Sequence, residues 1–226
     1  MTKETSMVNR SDEDDTRQRI KIAAIQLFSR HGIEGVSVRA ILNQASVKNS
    51  ARIHYYFRTK DDLIRELVRD ALMRTRRARN AALDALEASG APIGVRDIVE
   101  LIVKVETVGT GDREQRSDLP IGFGHMRFIS VMQLNHRAIF SAAVEAEGDD
   151  SFQRCIDHIA AALPDVPRAA LNRKLVFFYQ FAQASLSARE AAFVLNEDGG
   201  RLWGDPTALE SLIDSLTASI VGAPPR

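Results

Sequence analysis

The segment from Ser37 to Lys60 constrains the fold of this chain more than any other part of the sequence. It contains two short stretches with apolar residues at helical spacing, joined by a tight turn near Ala45. The aromatic pair Tyr56 and Phe57 and a basic residue end the segment. This layout is typical of a helix-turn-helix, in which the second helix enters the major groove of DNA.

Positive charge is concentrated in the same part of the chain. Between Thr16 and Lys60 there are nine Lys or Arg residues and one acid, Glu34, so the net charge is +8. The whole chain is neutral, and residues 61–226 carry 19 basic and 24 acidic residues. Local positive charge is expected where a protein contacts phosphate. The alternative is a solvated basic face without a ligand, but the charge together with the helix-turn-helix spacing favours DNA.

Helical periodicity continues along the chain, and we predict an all-α fold. We expect a disordered tail over residues 1–13, a three-helix DNA-binding domain over 14–60 and a larger helical domain over 61–226. The N-terminal helices are predicted to carry Ile20 to Phe28, residues 38–45 and residues 47–55, with Ser37 as an N-cap. Further helices are predicted from Thr59 or Asp61 to residue 88 and over 97–108, 123–147 with one break, 150–163, 168–196 and 207–221.

Exposed polar residues of the predicted helix-turn-helix are the candidate DNA contacts. Asn and Arg can form bidentate hydrogen bonds with base edges, and Lys and Ser can contact bases or phosphates. Backbone N–H groups at a helix N-terminus also favour an anion. We therefore predict contacts from the recognition helix at Lys48, Asn49, Ser50 and Arg52, phosphate contacts at Ser37, Arg39, His54, Tyr55 and Lys60, and flanking contacts at Arg17 and Arg19.

The block from Thr16 to Val68 resembles the N-terminal domain of TetR-family transcriptional regulators. The resemblance rests on Leu27-Phe28, the turn at Gly32, Val36-Ser37-Val38-Arg39, the turn at Ala45, Tyr56-Phe57 and Lys60. Two features depart from the family pattern. The segment Ala45–Phe57 is one residue longer than the commonest version, with Ser46 at the usual small or glycine position. His54 stands where the family often has a phosphate-binding Tyr, so His54 and Tyr55 can exchange roles and the base contacts can shift by one residue.

The resemblance implies a homodimer that binds double-stranded DNA and carries a C-terminal domain for dimerisation and for a small-molecule effector. It also implies a repressor, since most members repress transcription and release DNA when the effector binds. An activator, and an architectural DNA-binding protein without an effector, stay open as alternatives. The helices predicted over 168–196 and 207–221 are apolar on more than one face, so they favour a four-helix dimer interface over a single internal core.

Polar residues are scattered among apolar ones from His125 to His136, as in the lining of a mostly apolar ligand pocket. The alternative is that these are ordinary core and surface positions of packed helices. The candidate effector contacts are Met126, Ile129, Gln133, His136, Phe140, Phe177 and Phe181.

Other functional classes lack the residues that their chemistry needs. The five histidines are spread along the chain without a metal-ligand spacing. The glycines around residues 109–111 and 122–124 follow no predicted strand, and there is no Gly-x-Ser-x-Gly elbow. We therefore predict no enzyme activity, cofactor or metal. The single Cys155, the polar N-terminus and the lack of a long apolar run favour a cytoplasmic protein without a membrane partner.

Overall fold

The computed structural model describes residues 4–47, 55–107, 124–148, 150–195 and 199–222. Within these ranges there are helices and no strand, which confirms the predicted all-α fold. The helices are α1 (Glu4–His31), α2 (Val38–Gln44), α3 (Lys60–Ala88), α4 (Val95–Thr107), α5 (His125–Asn135), α6 (Arg137–Glu147), α7 (Asp150–Ala162), α8 (Arg168–Leu195), α9 (Gly200–Trp203) and α10 (Ala208–Val221).

Helix α1 begins at Glu4, and the disordered tail over residues 1–13 stays a prediction. No glycine or proline precedes Gly32, so nothing in the sequence interrupts the helical hydrogen-bond ladder upstream of the apolar stripe. Gly32 then ends the helix. Its φ of 72° lies in the left-handed region that glycine adopts at little steric cost, and its N–H donates to the carbonyl of Phe28 at 3.0 Å.

Side-chain caps fix the starts of α2 and α3. Ser37 Oγ accepts a hydrogen bond from the N–H of Ala40 at 3.2 Å, which confirms Ser37 as an N-cap. Thr59 Oγ1 accepts from the N–H of Asp62 at 3.0 Å, so Thr59 caps α3. Most of the predicted recognition helix, residues 48–54, lies outside the described residues, while the backbone at residues 55–56 is helical.

A first hydrophobic core joins α1 and α2 to the beginning of α3 and to α5. From α3 it contains Leu63, Ile64, Leu67 and Val68, so this core extends past residue 60, where we predicted the domain boundary. From α5 it contains Phe128, Ile129 and Met132. The rings of Phe28 and Phe128 stack with their centroids 6.2 Å apart. Helix α5 is therefore a structural part of the N-terminal half of the molecule.

A second core is formed by the end of α3 together with α4, α7, α8 and α10. It includes Leu83, Ile98, Phe178 and Leu216. Cys155 of α7 is fully buried in this core, so it is an ordinary packing residue. The break that we expected within residues 123–147 falls at His136, between α5 and α6. The predicted loop over 109–118 lies outside the described ranges.

Candidate nucleic-acid interface and ligand cavity

Three of the predicted DNA contacts lie on the surface beside the helix-turn-helix. Ser37 and Arg39 are exposed at the start of α2, and the side chain of Arg39 has no hydrogen-bond or ion-pair partner in the described part of the chain. Tyr55 is 69% exposed, and its ring packs edge-on against Tyr56 at 5.1 Å. The predicted contacts Lys48, Asn49, Ser50, Arg52 and His54 lie outside the described residues.

Lys60 is held inside the N-terminal domain. Its Nζ donates to the backbone carbonyls of Ile33 and Val36, the latter at 2.6 Å, and lies 5.6 Å from the ring centre of Phe28. These contacts tie the start of α3 to the turn between α1 and α2. The phosphate contact that we predicted for Lys60 would have to compete with them.

Two basic residues of α1 are paired with acids of α3. Arg17 donates from Nε to Glu66 Oε1 at 3.0 Å and from a second nitrogen to Oε2, and its guanidinium lies over the ring of Phe57. Lys21 is buried and contacts Glu66 and, at 2.7 Å, Asp70. Burial of Glu66 opposes its ionisation, but hydrogen bonds from Arg17 and Lys21 outweigh burial and lower its pKa.

These pairs reduce the positive charge that the sequence count assigned to the DNA-binding surface. That count ended at Lys60 and so left out Glu66 and Asp70, which fold back onto α1. Arg19 is also engaged locally: its Nε lies 3.2 Å from Asp15, and it donates to Thr16 and to the carbonyl of Ala45. The contacts of Arg17 and Arg19 with flanking phosphates stay predictions.

A cavity of about 640 Å³ lies between α3, α4, α5, α6, α7 and α8. Its size is within the range that accommodates a drug-sized molecule. Four of the seven candidate effector residues line it: Met126, Ile129 and Gln133 from α5 and Phe140 from α6. The polar residues scattered along α5 were thus a usable sequence signal for this wall.

The other three candidates lie elsewhere. His136 faces the turn between α1 and α2, with Nε2 3.1 Å from Glu34 Oε1 but at a geometry that forms no hydrogen bond. Phe177 and Phe181 of α8 are 72% and 42% exposed. They lie one residue before Phe178 and Ala182, which are buried, so they occupy the outer face of α8. Sequence alone could not separate the two faces because both are apolar.

The cavity also contains residues of α3 that we did not name as candidates, because α3 was interpreted only as a connecting helix. Arg79 is 6% exposed, donates to Ser151 Oγ at 3.1 Å and lies 3.6 Å from Glu106. Its guanidinium also packs over the ring of Phe152. Arg79 is one of six arginines in α3, and the sequence gives no signal that this one points inward.

His125 is the most perturbed titratable group on the cavity wall. It is buried, and its Nδ1 has no hydrogen-bond partner in the described ranges. Burial, together with the nearby cation of Arg74, holds the pKa of His125 well below its usual range. The imidazole is therefore neutral at pH 7.

The N-terminus of α5 is fixed by Glu190 of α8. Its carboxylate accepts hydrogen bonds from the N–H groups of Gly124 and Arg127, both at 2.9 Å, and from that of Met126. Burial raises the pKa of Glu190, while the three N–H donors oppose that rise. Gly124 has a φ of 96°, and a Cβ there would lie 2.6 Å from Ser29 Oγ of α1. One junction thus connects α8, α5 and α1.

Comparisons with known proteins find one sequence family and similar solved folds. Residues 22–67 match the family described as bacterial regulatory proteins, tetR family, which confirms the resemblance predicted from the sequence. A solved tetR-family transcription regulator from Shewanella sp. PV-4 is similar in fold, with a TM-score of 0.57 and 13% identity over 91% of this chain and 97% of that one. A transcriptional regulator from Rhodococcus sp. RHA1 aligns with a TM-score of 0.49 and 18% identity over 91% and 95% of the two chains. No curated protein matches the chain.

The described ranges also bear on metal binding and membrane crossing. No group of three or more His, Cys, Asp or Glu residues there is arranged to hold a metal ion. None of the helices described above is both long enough and apolar enough to cross a membrane.

Proposed function

We propose that this chain, a DNA-binding regulator with a tetR-family N-terminal domain, represses transcription as a homodimer on a palindromic operator and is released by a small-molecule effector. The observation that carries this proposal is the double role of α5. One face of α5 lines the cavity with Met126 and Gln133, and another packs Phe128 and Met132 into the core of the DNA-binding domain.

Helix α5 offers a short mechanical route from an effector to the DNA-binding domain. A molecule in the cavity contacts α5, and the stacked rings of Phe28 and Phe128 pass any displacement to α1. Helix α3 provides a second connection, because Leu63 lies in the first core and Leu83 in the second. An effector lowers DNA affinity only by as much as it prefers the conformation in which the two recognition helices are wrongly spaced.

The outer faces of α8 and α10 support a homodimer. Phe177, Phe181 and Val221 are between 42% and 72% exposed in the single chain. Large apolar side chains exposed on neighbouring helices are typical of an interface, and two helices from each protomer make a four-helix packing arrangement. A two-fold dimer would place its recognition helices in half-sites roughly 34–36 Å apart.

For the contacts with DNA we keep the residues that the sequence predicts. The recognition helix over residues 47–55 would read bases, while Ser37 and Arg39 at the start of α2 would contact phosphate. Their exposure leaves them accessible, and the partnerless side chain of Arg39 makes it the best placed cation among the described candidates. The repressor role rests on the family resemblance.

The proposal is tested by selecting bound sequences from a random DNA pool and then screening small molecules for release of the selected operator. A palindromic site is expected, with loss of operator affinity on saturation by a cavity ligand. Ile156→Trp, which would fill part of the cavity from α7, is expected to bind the operator but ignore the ligand. Saturating occupation of the cavity without any change in operator affinity would contradict effector release. Binding without sequence preference would favour the architectural alternative.

A further inference from the structure

We propose that the cavity binds an uncharged, mainly apolar small molecule with one hydrogen-bonding group that contacts Gln133 and Tyr179. This inference rests on the proposed function only in taking the cavity as the effector site. It concerns the chemical class of the ligand, which is set by the charges and hydrogen-bonding groups of the lining.

Charged residues on the cavity wall are already paired within the protein. Arg79 contacts Glu106 and Ser151. Arg76 donates from Nε to Asp150 Oδ1 at 3.0 Å and from Nη1 to the carbonyl of Glu147, also at 3.0 Å. The carboxylate of Glu147 lies 2.7 Å from Arg69. The described lining residues therefore offer a ligand no unmatched charge.

A charged ligand would disturb these pairs. A carboxylate that approached Arg79 would compete with Glu106, whose side chain is 18% exposed, and would bring a second negative charge into a poorly solvated site. An ammonium group that approached Glu106 would likewise compete with Arg79, whose side chain is 7% exposed. Binding a charge here costs desolvation without a new counter-charge.

A neutral hydrogen-bonding atom, in contrast, is available on Gln133. Gln133 Nε2 donates to Tyr179 Oη at 2.5 Å, and the carbonyl oxygen of Gln133 accepts no hydrogen bond in the described part of the chain. Gln180 lines the cavity beside them. A neutral His125 completes the polar part of the wall, since burial and Arg74 keep its pKa low. Carboxamide, phenol and imidazole groups match an amide, carbonyl or hydroxyl of a ligand.

Apolar groups line most of the remaining wall. Met126, Ile129, Phe140, Phe152 and Leu175 surround the space from α5, α6, α7 and α8. Such walls stabilise an apolar ligand body in proportion to the area removed from water. The combination fits a molecule with a large apolar part and a small neutral polar group.

The test uses the full-length protein and the uncharged dye Nile red, followed by displacement with three compounds of equal chain length. These are dodecanamide, dodecanoate and dodecylamine at pH 7.5. Nile red is expected to bind saturably, and dodecanamide is expected to displace it at concentrations about tenfold lower than either charged compound. Lack of saturable Nile red binding would overturn the proposal. Displacement by a charged compound at an equal or lower concentration would do so too.

Variants locate the binding within the cavity. Gln133→Leu and Tyr179→Phe are each expected to weaken displacement by dodecanamide about five- to tenfold. The matched control is Gln153→Leu, an exposed position on α7 that does not line the cavity. Both cavity variants conserve side-chain size, and weaker displacement of Nile red by dodecanamide in either variant supports the proposal. If dodecanamide displaced Nile red from both variants at the wild-type concentration, the polar group of the ligand would bind elsewhere.

Operator binding measured on the same samples separates this inference from the proposed function. If dodecanamide binds preferentially but operator affinity stays unchanged, the ligand class stands and effector release fails. If a charged compound both binds better and releases the operator, effector release stands and the ligand class is wrong.

Discussion

Lys60→Met gives the sharpest test of how the N-terminal domain is built. The substitution keeps an unbranched side chain but removes the ammonium that donates to the carbonyls of Ile33 and Val36 and lies over the ring of Phe28. A hydrogen bond to a charged group contributes about 1.5–3 kcal/mol when buried. Lys60 is half-buried, so we expect a combined loss of about 2–3 kcal/mol in the free energy of unfolding. Urea denaturation followed by circular dichroism measures this loss.

The same variant distinguishes a structural role from a phosphate contact. If Lys60 acts mainly within the protein, the salt dependence of operator binding should keep its slope, whereas a lost phosphate contact would reduce the slope by about one. Arg39→Met is the matched control, because Arg39 is exposed and without a described partner. It should change stability by less than about 0.5 kcal/mol but reduce the slope. Unchanged stability of Lys60→Met together with a reduced slope would refute our structural interpretation.

Three further predictions follow from the buried groups and the exposed face of α8. Urea denaturation from pH 7.5 to 5 should show that the wild type loses stability relative to His125→Leu as pH falls below about 6.5, with a slope of up to about 1.4 kcal/mol per pH unit. The imidazole of the unfolded chain takes up a proton in this pH range, whereas burial and Arg74 lower the pKa of His125 in the folded protein. If the stabilities of the wild type and of His125→Leu changed in parallel with pH, this prediction would be wrong. Glu190→Ala should lower the free energy of unfolding by about 3 kcal/mol, because two buried N–H groups and one partly buried N–H group lose their acceptor, while the exposed Glu145→Ala should have little effect. Phe177→Asp should sediment as a folded monomer, and a stable Phe177→Asp dimer would place the interface elsewhere.

Local signals made much of the helix pattern predictable. Gly32 and the hydroxyl caps at Ser37 and Thr59 act through nearby backbone groups, so the helix ends that they fix can be predicted from a few adjacent residues. A break within residues 123–147 was expected, but no local signal placed it at His136. In contrast, α1 extends to Glu4 because the polar residues before its apolar stripe contain no helix breaker, a feature that composition alone suggests only weakly.

Contacts between distant residues were not predictable in this way. Glu66 and Asp70 follow the basic segment in sequence but lie against Arg17 and Lys21 in space, so a count of charges along the chain overestimates the field of the N-terminal domain. The outward position of Phe177 depends on which apolar face of α8 meets α5 and α10. Neither arrangement is encoded in periodicity, because both arise from packing between elements far apart in the chain.

The shared first core has a consequence for how this protein unfolds and how it can be divided. Phe128, Ile129 and Met132 complete a core whose other buried members lie before residue 72, so a fragment that ends near residue 88 would expose apolar surface that α5 normally covers. Such a fragment is expected to aggregate or to remain partly unfolded. In the intact chain the two halves should melt in one cooperative transition. If the N-terminal domain were grafted onto another regulator, that regulator would need an apolar side chain that packs on Phe28 as Phe128 does here.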